Sequence, residues 1–473
     1  MIDDELVFAA HAERYSRRKN DAFLHPELIA EALTYGVPDH IAWYERPVLK
    51  KLRQFRARQF NDALTLDDLP TAYLRSLDLP FRVHGISHYA SHHDSHIAAA
   101  VSTCGFSDAA VITADSIGEF ATLTVSHYIE GRGVTRIHQR NYPSSIGLLY
   151  SAFTRRCGFK PNEDEYIVMG MASIGHPVYF EAIMDDFVKM DYPSFRLKIN
   201  PHKGIGAWMP QARVEDLAAS IQAVTEHILV AVARWARNYT GSKALVLAGG
   251  VALNCAANSI VAKNGGFENF WIFPNPGDAG SSFGSVADMI GKPISWPGPY
   301  LGTSIESSYP VGEILGLLNT RGMVGVASGS AEFGPRALGN RSILADPRPP
   351  DMKDRVNAVK GRELFRPFAP VLRLENASRY FDMPVNASPY MQFTGRCLQP
   401  EFLPAVTHTD GTSRVQTVTD AQHHGLYELL GEWEAMTGCP VLLNTSLNSR
   451  SEPLVNSRID AERFSLATGL DVL

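Results

Sequence analysis

Apolar residues recur at Leu217, Ile221, Val224, Ile228, Leu229, Val232 and Trp235, a helical spacing that predicts one long amphipathic helix from Val214 to Arg237. The run Ala244 to Ala248 is apolar throughout, as a strand buried on both faces requires. Gly249-Gly250, a small-residue helix from Val251, a strand Asn269 to Phe273, the turn Pro274 to Asp278 and another helix follow it. That alternation predicts an α/β layer. Upstream, the apolar run 109–114 ends at Asp115, and the alternating residues 121–128 read as its hairpin partner. Residues 3–12 read as a strand, followed by a basic helix start from Arg14 to Lys19. Pro293, Pro297, Pro299 and Pro310 with Gly298 and Gly302 mark a boundary over 292–310. Beyond it, strands are expected at Val324 to Ala327 and Pro440 to Leu443.

Composition narrows this picture. The 473 residues are 45% hydrophobic and 20% charged with a net charge of −6, which suits two or three globular domains and excludes a disordered or fibrous chain. The five cysteines form no CxxC pair, so neither a disulfide framework nor a thiolate zinc site is indicated. The acidic opening Met1 to Glu5 lacks the features of a signal peptide, and Ala244 to Ala257 is too short to cross a bilayer, so a cytoplasmic protein is expected. No global basic footprint marks a nucleic-acid binder.

Chemistry concentrates in a few places. His84, His88, His92, His93 and His96 crowd into thirteen positions, and His88, His92 and His96 repeat every four residues. A helix would stack these on one face, where two imidazoles a turn apart can share a metal; a solvated histidine-rich helix start is the competing explanation. His93 stands where a zinc protease places its Glu, so HExxH is excluded. Asp115 to Glu119 could set a carboxylate and free N–H groups against a nucleotide phosphate and its metal, or be an ordinary turn. Gly249, Gly250 and Asn254 after a buried strand let a ligand approach the backbone at a helix N-terminus. Asp278, at a strand end, could add an oxygen ligand to two histidines, a set suited to non-haem Fe(II), or could cap a helix.

The block Glu332-Phe-Gly-Pro-Arg-Ala-Leu-Gly-Asn-Arg-Ser342, with Lys360, Arg362 and Phe365-Arg366-Pro367-Phe368, sets basic groups among glycines and aromatics. Guanidinium forks bind phosphate bidentately and a lysine adds a point charge, as a triphosphate site needs. His408 to Gln416, including Arg414, and Asn444 to Asn448, including Ser446, add polar groups at expected strand ends, where ordinary turn chemistry is the competing explanation.

Taken in order, these blocks resemble the O-carbamoyltransferases of the nodulation and antibiotic-tailoring type over nearly the whole chain. Glu13-Arg14, His92-His93-Asp94-Ser95-His96, Asp115 to Glu119, Val168 to Ala172, Gly249 to Asn254, Pro274 to Gly280 and the Glu332 to Ser342 string carry the likeness. The resemblance implies an N-terminal actin-like ATPase-superfold domain over 1–300 and a YrdC-like α/β domain over 311–473. It implies that carbamoyl phosphate and ATP, with Mg, form carbamoyl adenylate in the second domain, and that the first passes the carbamoyl group to an acceptor hydroxyl. By position, His92, His96 and Asp278 would hold Fe(II) or another divalent metal. Arg336, Lys360, Arg366, Arg414 and Ser446 would bind ATP and the adenylate, with Asp115, Gly249, Gly250 and Asn254 holding the nucleotide beside the metal. Lys360, Arg336, Arg366, His92 and Asp278 would carry the chemistry.

Two departures stand out: the family's first strand, with its His-Asp motif, is missing before about Asp4, and Tyr166-Ile167 replaces its Gly-Lys. A small molecule or sugar is the expected acceptor. A hydroxymethylated DNA base, a tRNA threonylcarbamoyl-adenosine activity, and a transfer-disabled nucleotide-binding regulator remain open.

Overall fold

The computed structural model describes residues 1–473 apart from 57, 58, 68, 307 and 364. The runs 109–114 and 121–128 form the antiparallel strands Asp108–Gly118 and Ala121–Ile129, with Thr113 opposite Thr124. Gly133–Asn141 completes an antiparallel meander, and Ala244–Ala248 and Asn269–Ile272 extend the sheet in parallel on the other side of Asp108–Gly118. The result is a mixed five-stranded sheet.

Strand alternation divides the apolar residues between two layers. Ala110, Ile112, Leu245 and Leu247 pack against Ile221, Val224 and Ile228 of the long helix, Val214–Thr240. Ala109, Val111 and Val246 face Ile97, Ala100, Phe283 and Ala287, from the helices His92–Val101 and Ser281–Ile290. Those two helices cross closely at Gly284, where a Cβ would fall 1.9 Å from the Ser95 carbonyl. Among the described residues, Val214–Thr240 alone has the length and hydropathy to span a membrane, and here it is a core helix.

Seven strands form the second sheet, in the spatial order 323–327, 341–345, 441–446, 369–373, 412–418, 393–397 and 381–382. The helices Val311–Arg321 and His424–Thr437 cover one face through Ile314, Leu318, Leu430 and Trp433. Met352–Lys360 and Arg458–Thr468 cover the other through Met352, Val356 and Phe464. The protein is thus a mixed α/β structure with several sheets.

Three expectations change. Residues 6–11 form no sheet strand: Leu6 and Ala9 donate to the carbonyls of Ser295 and Leu301 along a proline-rich segment whose prolines lack the N–H groups for a reciprocal ladder. The helix expected at Arg14 to Lys19 runs instead over Ala12–Ser16, ending where Arg17 turns left-handed at φ 59°. The 292–310 stretch contains the strand Tyr300–Ile305, which pairs antiparallel with Gly329–Glu332.

The segment between Glu332 and Arg341 has no ladder of its own and folds around the fully buried Glu332. Its Oε1 accepts from the backbone N–H groups of Leu338 (2.8 Å), Asn340 (3.0 Å) and Arg341 (3.2 Å). Arg14, also buried, donates to the carbonyls of Glu332 and Gly334. Arg341 donates to the carbonyls of Ser328, Thr303 and Asn456, so it ties the fold together. Removing the carboxylate in Glu332→Ala strands buried donors and is expected to cost about 3 kcal/mol or more, with Glu332→Gln costing less, as read by urea denaturation.

Candidate active site

Ser91 caps the helix His92–Val101, its hydroxyl accepting from the Asp94 N–H at 3.3 Å. The helix therefore starts at His92, and the i, i+4 spacing sets the Nε2 atoms of His92 and His96 3.2 Å apart. His88 lies outside it, on the short strand His88–Ala90, paired with Asp288 at 2.7 Å. The expected three-histidine stack is therefore a pair. His93 turns to Thr124, and His84 is exposed.

Asp115, read from sequence as a nucleotide contact, lies with the histidines. Its Oδ2 is 3.0 Å from His96 Nε2 and 3.2 Å from His92 Nε2. Asp278 Oδ1 stands 3.4 and 3.5 Å from the same nitrogens. One ligand atom from each of the four residues lies within 4.8 Å of all the others. A tetrahedral site with arms of about 2.1 Å has edges of about 3.4 Å, so the four residues fit a divalent metal. Three of them are buried, whereas the Asp278 side chain is 59% exposed.

Burial opposes every charge here, and the pairing overrides it. Hydrogen bonds from His92 and His96 hold the Asp115 carboxyl well below its ordinary value. Burial and the Asp115 charge push Asp278 up, and the two histidines outweigh them. Burial works against protonated His92 and His96, but Asp115 and Asp278 raise both, His92 well above the ordinary imidazole value.

A third carboxylate was invisible to sequence spacing: Glu45 Oε1 lies 3.6 Å from His92 Nδ1. Only the pairing of Ala42–Tyr44 with His88–Ala90 brings it there, so no local pattern marks it.

Gly249 and Gly250 form the wall beside this cluster. At Gly249, φ is +84° and a Cβ would lie 2.3 Å from the Ala114 carbonyl; at Gly250 it would approach Asp115 Oδ1 to 3.0 Å. Asn254 caps the helix Cys255–Asn264 through Ala257 N–H (3.0 Å), and its amide donates to Gln222 at 2.8 Å.

On the far side of this turn lies a cationic group. Arg336 donates to the Leu253 carbonyl at 3.4 Å. Arg366 stacks on Tyr166 at 4.8 Å, one residue before the position where the resemblance called for a lysine, and Arg362 covers Phe368 at 4.2 Å. Lys360 Nζ donates to Ser446 Oγ (3.1 Å) and to the Asn448 carbonyl (2.9 Å) and Oδ1 (2.7 Å). Burial and neighbouring guanidinium groups push Arg336 down to about 9 and Arg362 to about 8. Lys360 is pushed well down by burial, then by Arg362, Arg366 and Lys19. Arg414 is lowered by burial, and its Nε is buried without a partner. Such crowded, desolvated cations suit a polyanion.

A four-residue cluster able to hold a divalent metal and a group of buried cations thus lie on opposite sides of one turn. Residues 65–287 match the carbamoyltransferase N-terminus and residues 316–473 the carbamoyltransferase C-terminus. The chain belongs to the carbamoyltransferase family and is a transferase. It is 34% identical to nodulation protein NolNO of Sinorhizobium fredii, covering 100% of this chain and 76% of that one. It is also 34% identical to nodulation protein NolO of Bradyrhizobium diazoefficiens, covering 81% and 77%. The crystal structure of T. kodakarensis HypF aligns with 44% of this chain and 37% of that one at 16% identity and a TM-score of 0.26.

His96→Ala and Asp115→Asn each remove one donor from the four-residue cluster. Both are expected to weaken divalent-metal binding by roughly 100-fold or more, read by metal analysis after dialysis against a buffered metal.

Proposed function

We propose that the protein O-carbamoylates a hydroxyl-bearing small molecule or sugar, using carbamoyl phosphate and ATP through carbamoyl adenylate. In this reading, residues 1–300 form a transfer domain of the actin-like superfold and residues 311–473 a YrdC-like adenylating domain. A three-strand antiparallel meander continued by two parallel strands supports the first assignment.

The observation that carries the reading is the turn Gly250–Leu253. One end abuts Asp115 in the metal-ligand cluster, and the other accepts from Arg336 in the cationic group. Four residues of 3₁₀ helix span only about 6 Å, so an adenylate seated against the turn meets both sites.

Carbamoyl phosphate first loses inorganic phosphate to water. The resulting carbamate oxygen attacks the α-phosphorus of Mg-bound ATP, and the bond to the β-phosphate oxygen breaks to release pyrophosphate. Lys360, Arg336, Arg366 and Arg414 neutralise charge on the phosphates, with Ser446 and Asn448 orienting the Lys360 ammonium. The acceptor hydroxyl then attacks the carbamoyl carbon, AMP departs and the hydroxyl proton passes to solvent. His92, His96, Asp115 and Asp278 would hold Fe(II) or another divalent metal, which would supply Lewis-acid polarisation at this site. The exposure of the Asp278 side chain supports approach of the acceptor from that side. A cytoplasmic location, with its supply of ATP, suits this chemistry.

Intact protein is expected to release pyrophosphate from ATP only when carbamoyl phosphate is present. Lys360→Ala should lower that release by roughly 100-fold or more. A folded, metal-loaded protein that consumes neither substrate, with hydroxyl acceptors supplied, would overturn the proposal.

A further inference from the structure

Buried His92 presents Nε2 to Asp115 and Asp278, while its Nδ1 is buried and has no hydrogen-bond partner. An imidazole ligates best when its other nitrogen donates to a fixed acceptor, which selects the tautomer and holds the ring plane. The carboxylate facing Nδ1 belongs to Glu45, whose Oε1 lies 3.6 Å away and whose side chain is only 14% exposed.

Glu45 is held there from several directions. Parallel pairing of Ala42–Tyr44 with His88–Ala90 delivers it beside the start of the histidine helix. Its other oxygen is 2.8 Å from Lys50 Nζ. The next residue, Arg46, grips Glu119 through its backbone N–H (2.7 Å), Nε (3.0 Å) and Nη2 (2.7 Å). The same turn contains Gly118, where a Cβ would fall 2.1 Å from His92 Cδ2, so the imidazole packs directly on the backbone. Tyr44 meets that ring edge-on at 5.7 Å. Glu45 itself has φ +65°, a left-handed conformation that a side chain disfavours and that marks a functional constraint where surrounding contacts enforce it.

We propose that Glu45 is a positioning residue for the metal centre, its carboxylate closing from 3.6 Å to accept from His92 Nδ1–H when the site is filled, thereby turning the Nε2 lone pair toward the metal. The inference rests on the metal-site reading above and assigns no ligand role to Glu45.

Co(II) titration followed by visible absorption, paired with melting of the metal-free protein, tests it. Glu45→Ala and Glu45→Gly are expected to weaken Co(II) binding by about 10- to 100-fold. Glu45→Gln keeps an acceptor oxygen and should lose less. Metal-free Glu45→Gly should melt no lower than wild type, because glycine takes φ +65° without strain. That split between affinity and stability separates positioning from scaffolding. Unchanged Co(II) affinity in the alanine and glycine variants overturns the inference alone. So does an affinity loss matched by a fall in melting temperature of both metal-free variants. A wild-type protein that takes up no Co(II) overturns the metal-site reading and this inference with it.

Discussion

The burial of Glu332 constrains more of this molecule than any other single group. A carboxylate without solvent must find donors, and this one gathers three backbone N–H groups from the segment that follows it. That segment, which has no ladder to shape it, consequently wraps back on its own start. Arg14 closes the arrangement from the beginning of the chain, and Arg341 ties it to Thr303 and Asn456. The outcome is that Arg336, in the middle of the loop, emerges against Leu253, on the other half of the molecule.

Two electrostatic environments meet at that contact. Around His92 and His96, carboxylates are packed closely enough to favour the protonated imidazoles against their burial, a charge pattern a divalent cation can replace. Across the Gly250–Leu253 turn the imbalance is reversed: burial lowers the guanidinium groups there, and they depress one another further. The glycine pair allows this proximity: any side chain at Gly249 would strike Ala114, and one at Gly250 would crowd Asp115.

Much of this arrangement was legible in residue order. The long helix, the hairpin and the parallel strands followed from periodicity, because burial on one face or two imposes those spacings. His92 and His96 followed from the helical repeat, and Asp278 from its place at a strand end. The same repeat wrongly included His88, since periodicity does not reveal that Ser91 starts the helix after it. Asp115 was recognised as a functional carboxylate but given to the nucleotide, because nothing local shows that the strand ends over the histidine helix.

By itself, then, the sequence determined the kinds of elements, the acid, base and glycine motifs, and through their order the family to which the chain belongs. These depend on spacing along the backbone, which local geometry conserves. Tertiary structure decided which groups share a site. The 42–44 and 88–90 pairing brought Glu45 to His92, and the buried Glu332 turned Arg336 toward Leu253. It also gave Asn254 to a helix cap and Arg341 to the scaffold. Such partnerships join residues tens to hundreds of positions apart. They arise from strand register and from the need to satisfy buried charge, neither of which leaves a local mark on the residues concerned.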